Sequence, residues 1–154
     1  MNLHEERLSG KHIFKGRVID LEVDQIRLPD GHDSIREVIN HPGGVAIAAL
    51  NERDELLMVR QFRYPFHSVL LELPAGKLEP GEIPLEAAKR EQKEETGTQA
   101  EEYIFLGKCY ATPAYCTEQI IDLIANGVNH IHVYSMNKPE IAAGIQASLS
   151  EILG

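Results

Sequence analysis

The segment from Gly76 to Thr98, GKLEPGEIPLEAAKREQKEETGT, constrains this chain more than any other. Pro80-Gly81 is a strong turn dipeptide, because glycine takes positive φ at no steric cost. Pro84 suits the first turn of a helix, where its missing N–H has no partner to lose. From Leu85 to Thr96 nearly every residue is a good helix former, and Gly97 stands where a left-handed cap is wanted. The spacing therefore predicts a loop, a helix over Leu85–Thr96 and a stop. Glu91, Glu94 and Glu95 fall on one side of that helix. Like charges three or four residues apart cost about 0.2–0.5 kcal/mol per pair, and the macrodipole disfavours anions near the C-terminal end. Arg90, four residues from both Glu86 and Glu94, relieves those two; Glu91 and Glu95 have no such cation at that spacing. A face of this kind is either a solvated Glu/Lys-rich surface or the seat of a divalent cation. Carboxylates joined by carbonyl oxygens suit hard Mg²⁺ or Mn²⁺.

Position by position, the segment resembles the Nudix box. In that pattern a glycine is followed after five residues by Glu. After seven more come Arg-Glu, an apolar residue, any residue, Glu-Glu, any residue, Gly and a final apolar residue. Gly76, Glu82, Arg90, Glu91, Glu94, Glu95 and Gly97 fill every fixed position. Gln92 and Thr98 depart, standing where the family usually carries aliphatic residues. That departure weakens the packing face of the helix more than its chemistry.

The rest of the chain supplies strands. Residues 11–28 read as extended, with a one-residue slip between the alternating pairs Leu21/Val23 and Ile26/Leu28, Pro29-Asp30-Gly31 as a turn, and Ser34 to Asn40 as a returning strand. This gives an antiparallel meander over residues 1–40, too small to fold alone, ahead of a main domain over 41–154. After His41-Pro42-Gly43-Gly44, two apolar strands flank a polar turn at Asn51–Glu55 and predict a hairpin. Val69–Leu73 and Tyr103–Tyr110 read as further strands. Gln119–Ala125 fits strand or helix, His130–Tyr134 fits strand, and Asn137 opens an amphipathic helix expected to cover the sheet. Strands on both sides of one central helix indicate an α/β fold. With the box resemblance, the expectation is a mixed-sheet α/β/α Nudix-type sandwich carrying a small N-terminal meander.

Composition removes several functions. A net charge of −9 and the lack of any arginine-lysine cluster with interleaved aromatics argue against nucleic-acid binding. No apolar run approaches a membrane span, and the first residues have no apolar signal region, so a cytoplasmic location is expected. Two cysteines, Cys109 and Cys116, without CxxC spacing, read as free thiols. His130 and His132 share a face of their expected strand and read as a solvated or hydrogen-bonded pair rather than as metal ligands. An acidic chain that binds a diphosphate must do so through metal ions and a few placed arginines.

Within the Nudix family the chain is most similar to the ADP-ribose pyrophosphatase group. The likeness rests on REVINHPGGVAI, RQFRYP, ELPAGKLEPGE and ATPAY. Pro113, fifteen residues beyond Thr98, lies close to the proline that marks that group. The resemblance implies Mg²⁺-dependent cleavage of ADP-ribose, or a similar nucleotide sugar, to AMP and ribose 5-phosphate. By the same resemblance Glu91 and Glu95 are metal ligands with the carbonyl of Ala75, assisted by Glu94. Glu94, Glu95 and Arg90 form the catalytic set, with Arg90 orienting a box carboxylate. Glu82 and Gly76 stand behind them as support. Arg36 and Arg63 are candidates for the diphosphate or terminal ribose, and Glu118 and Pro113 for the substrate loop. Arg60 points to the opposite strand face and ranks lower. Phe14 is a candidate to stack on the adenine, with a core role as its alternative. The resemblance also implies a homodimer through the N-terminal strands. No glutamate of a C-terminal acidic loop can be matched among Asp122, Glu140 and Glu151, so a nucleotide-binding protein with little or no turnover stands as the alternative.

Overall fold

The structure, a computed structural model, describes residues 2–128. The expected strand at His130–Tyr134 and the expected C-terminal helix, with Glu140 and Glu151, lie outside those residues. The described chain forms two compact units: residues up to Gly43 together with Cys109–Ile120, and Gly44–Lys108 together with the described residues from Ile121 onward.

The first unit is built on an antiparallel meander of β1 (Glu6–Lys15), β2 (Asp20–Arg27) and β3 (Asp33–Ile39), in that spatial order. The turn after β2 forms as the Pro-Asp-Gly sequence requires. Gly31 takes φ 90°, its N–H donates to the Leu28 carbonyl at 2.9 Å, and the Leu28 N–H donates to His32. The continuous strand expected over residues 11–28 is interrupted. The chain reverses between Lys15 and Asp20, where the Gly16 N–H donates to the Ile19 carbonyl. The register slips also differ from expectation. They lie on β1, between Arg7 and Ser9 and between His12 and Phe14, whereas β2 pairs with β3 without a break. Alternation of side chains in β2 masked this, because a bulge in a partner strand leaves no mark in its neighbour. The loop after Cys109 returns to β3: the Ile39 N–H donates to Tyr115, and the Thr117 N–H to Ile39.

The second unit centres on a four-stranded sheet ordered β7-β4-β9-β8. Its strands are β7 (Ala75–Lys77), β4 (Gly44–Ala49), β9 (Ile120–Asn126) and β8 (Glu102–Cys109). The segment 119–125, ambiguous by periodicity, is thus a strand. A two-stranded ribbon pairs β5 (Val59–Arg63) with β6 (Ser68–Glu72). The polar turn at Asn51–Glu55 forms, with the Asn51 side-chain oxygen accepting the Arg53 and Glu55 N–H groups. The expected hairpin closes only at its tip, through Leu50 and Leu56, after which the second strand leaves to become β5 and pair with β6. A second correction concerns Gly76, expected in a loop. It belongs to β7, paired with Val45.

Helix α1 (Pro84–Thr96) begins with Pro84 in its first turn and ends at Gly97, whose φ is 70° and whose N–H donates to the Lys93 carbonyl. It packs on β4 and β7. Small residues permit close approach: Ala87 and Ala88 are fully buried against Val45, Ile47, Ala49, Leu123, Ala125 and Val128. Ala48, Leu50 and Ile124 form a separate, smaller cluster, as expected for alternate strand residues pointing to the other face.

Candidate active site

The helix also buries Gln92, a polar residue that is fully covered. Its Nε2 donates to Thr98 Oγ1 at 3.1 Å, and its Oε1 accepts from the Tyr103 hydroxyl at 2.8 Å. Thr96 Oγ1 completes the cluster at 2.6 Å from Thr98 Oγ1. The two departures from the box pattern are therefore partners of each other. They do not loosen the packing face as expected; each satisfies the other's buried polar group.

Next to Gln92 on α1 stand the box carboxylates, with Glu91 and Glu95 against β7 and Glu94 exposed. Arg90 is the hub. Its Nε and Nη2 each donate to one oxygen of Glu82 at 2.9 Å, its Nη1 donates to Glu91 Oε1 at 2.6 Å, and Nη2 also reaches the Lys77 carbonyl at 3.2 Å. Glu94 is only 3.5 Å from Nη1 and stays largely exposed. Glu91 thus has a cation after all, the arginine beside it in sequence, because a long guanidinium reaches both ways along the helix. Glu86 pairs instead with Lys89. The fork of Arg90 and the Glu79 N–H hold Glu82 well below the usual carboxylate range, at about 2, and Glu82 in turn raises Arg90.

Two carboxylates lie against β7, and one of them is bonded to it. A Cβ at Gly76 would overlap the Glu91 carboxylate, so glycine is the residue that lets this side chain lie against the strand. Glu95 Oε2 accepts the Ala75 N–H at 3.0 Å, and its Oε1 accepts from Gln61 Nε2 at 2.8 Å. Gln61, Arg63 and Glu72 share one face of the β5–β6 ribbon, by its register. Arg63 donates from Nε and Nη2 to Glu72, at 2.8 and 2.5 Å, and that pairing raises the guanidinium and lowers the carboxyl. Arg60 falls on the other face, as expected.

The remaining candidates belong to the first unit. Arg36 on β3 donates from Nε and Nη2 to Glu5, at 3.0 and 2.5 Å. Glu118 Oε1 lies 3.6 Å from His41 Nδ1, a nitrogen that already accepts the Gly43 N–H. Pro113 is exposed in the loop whose turn is closed by Thr112. Phe14 is 56% exposed, which excludes the core role. Asp122 stands on β9, where burial raises its carboxyl. Gln61, Glu72, Glu5 and His41 were not foreseen. Only Gln61 had a signal, its position two residues before Arg63 on one strand face.

Among the described residues no three His, Cys, Asp or Glu side chains already converge on a single point. The donors nonetheless fit a hard cation. Glu91 and Glu95 lie against consecutive residues of β7, every candidate donor is oxygen, and the glycine leaves the Glu91 carboxylate its space.

The chain belongs to the Nudix family. The NUDIX domain model matches residues 40–146, and the nucleoside diphosphate sugar hydrolase N-terminal domain model matches residues 5–39. It is 39% identical over 141 residues to a methanol dehydrogenase activator of Bacillus methanolicus, covering 92% of this chain and 72% of that one. It is 42% identical over 117 residues to an ADP-ribose pyrophosphatase of Bacillus subtilis, covering 76% of this chain and 63% of the relative. A Mycobacterium tuberculosis ADP-ribose pyrophosphatase is 35% identical over 127 residues, 82% of this chain and 61% of its own length. The chain thus spans under two thirds of both named pyrophosphatases. The fold is that of a solved ADP compounds hydrolase, with a TM-score of 0.74 at 24% identity over 91% of this chain and 76% of the other.

Proposed function

We propose that the chain hydrolyses the diphosphate bond of ADP-ribose, or of a similar nucleoside diphosphate sugar, giving AMP and ribose 5-phosphate. The observation that carries this reading is the bond of Glu95 to the Ala75 N–H of β7, with the Glu91 carboxylate lying against the next residue, a glycine whose missing Cβ gives it room. The relatives named ADP-ribose pyrophosphatase support the choice of substrate.

Glu91, Glu95 and the Ala75 carbonyl would hold Mg²⁺ or Mn²⁺, assisted by Glu94, which is exposed. When bound, such ions neutralise a diphosphate and lower the pKa of a coordinated water. Arg90 fixes Glu91 and Glu82 together, so the ligand enters the site already aimed. Arg63 keeps a charge to offer the diphosphate once it shares or leaves Glu72, and Arg36 stands likewise with Glu5. Glu118 and Pro113 belong to the substrate loop in this reading. Residues 1–40 serve as a dimerising element ahead of a hydrolase domain over 41–154. The homodimer is supported by β1, which is exposed along its whole length. A cytoplasmic location agrees with two free cysteines, and among the described residues no helix is long and apolar enough to cross a membrane.

The test is AMP release from ADP-ribose with Mg²⁺, beside Glu95→Gln and across ADP-glucose, NADH and nucleoside triphosphates. Release that Glu95→Gln abolishes is the expected result. Thermal stabilisation by ADP-ribose and Mg²⁺ without release would favour the binding protein instead.

A further inference from the structure

Glu91 and Glu95 sit in different electrostatic company. Glu91 accepts from a guanidinium, whereas among the described residues Glu95 accepts only from neutral donors, the Gln61 amide and the Ala75 N–H. A carboxylate offers about four lone-pair sites, so these two bonds fix the rotamer while leaving one site on each oxygen. Among the described residues no cation forms an ion pair with Glu95, although the Arg63 guanidinium is near enough to feel its charge. Arg63 is two residues along the same strand face and is the cation nearest in sequence to Gln61 on that face, but two of its three guanidinium nitrogens, Nε and Nη2, donate to Glu72. The ribbon thus presents an amide to Glu95 and keeps its guanidinium on another partner.

We infer that Gln61 is a positioning residue for the divalent cation: it holds Glu95 in its ligating rotamer without neutralising it, and Glu72 keeps Arg63 from taking that place. The inference rests on the reading of Glu95 as a metal ligand. Glu95 lies on the last turn of α1, where the helix dipole disfavours an anion and gives it no help in staying put. Its orientation must therefore come from other elements, and β5 and β7 supply it. Groups that orient a metal ligand in this way change affinity about 10–100-fold when removed.

The experiment measures Mn²⁺ affinity by the electron paramagnetic resonance signal of free Mn²⁺, on the full chain, without substrate. Gln61→Met keeps the apolar stem and removes the donor; Gln61→Leu is a second such variant. Arg60→Ala, on the other face of β5, controls for general disturbance of the strand. The expected result is an about tenfold or larger rise in the Mn²⁺ dissociation constant for both Gln61 variants, with Arg60→Ala like the parent and metal-free melting temperatures held. Parent-like affinity in either Gln61 variant, or an equal loss in Arg60→Ala, would overturn the inference. Failure of the parent to bind Mn²⁺, or unchanged binding by Glu95→Gln, would instead overturn the reading beneath it.

Discussion

Arg90 and Glu82 are bound so closely that the pair should leave a trace in the acid stability of the chain. The Glu82 carboxyl lies at about 2 in the folded protein against an ordinary value of 4.5. A depressed folded pKa contributes stability that is fully present above 4.5 and is lost as pH falls toward 2. Glu82→Gln should therefore unfold at lower urea than the parent at pH 7, and the gap should shrink by pH 2.5. A gap that stays constant across that range would mean the pairing is not electrostatic. The same arginine shows the limit of spacing rules. Glu86 and Glu94, each four residues away, were counted as its partners; Glu94 is met only at 3.5 Å and Glu86 pairs with Lys89, while the guanidinium turns chiefly to Glu82 in the preceding loop and to Glu91 beside it.

At the scale of elements, α1 packs on β4 and β7 and is also tied through polar atoms to Tyr103 of β8. Gln92 gives its amide to Thr98 and accepts the Tyr103 hydroxyl, all in or near the covered face. Among the described residues no buried side-chain nitrogen or oxygen lacks a partner. Gln92→Leu or Tyr103→Phe alone strands a polar group and should cost roughly 1–3 kcal/mol. The double variant strands none between them and should cost less than the sum, by about 0.5 kcal/mol or more. Urea unfolding of the four proteins measures this coupling, and strict additivity would show the network to be energetically empty. The helix itself was legible in the sequence because its stop signals are local: Pro84 at the start and a left-handed Gly97 at the end. Strand pairing was less so. Whether β5 continues a hairpin with β4 or joins β6 depends on contacts that no turn signal encodes, and bulges in β1 were read from the wrong strand. Of the candidate site, the carboxylates and Arg90 could be proposed from their fixed spacing. Gln61 and Glu72 could not, since their partners are distant in sequence.

At the scale of the molecule, the meander exposes more apolar surface than a lone small sheet carries comfortably. Ile13, Phe14, Val18, Ile19 and Ile35 are each close to half exposed or more. Light scattering at micromolar concentration should give twice the chain mass of 17.2 kDa, and Phe14→Asp should shift that mass downward. A monomeric parent would remove the dimer from the proposal.

The bond from the Ala75 N–H to Glu95 has one more consequence. β7 is an edge strand of three residues, paired on one side to β4, and this amide is held by a side chain of α1. Its hydrogen exchange with solvent is therefore a gauge of the carboxylate's posture, readable residue by residue in the resting protein. Whatever loosens Glu95 will be heard first at that single backbone proton.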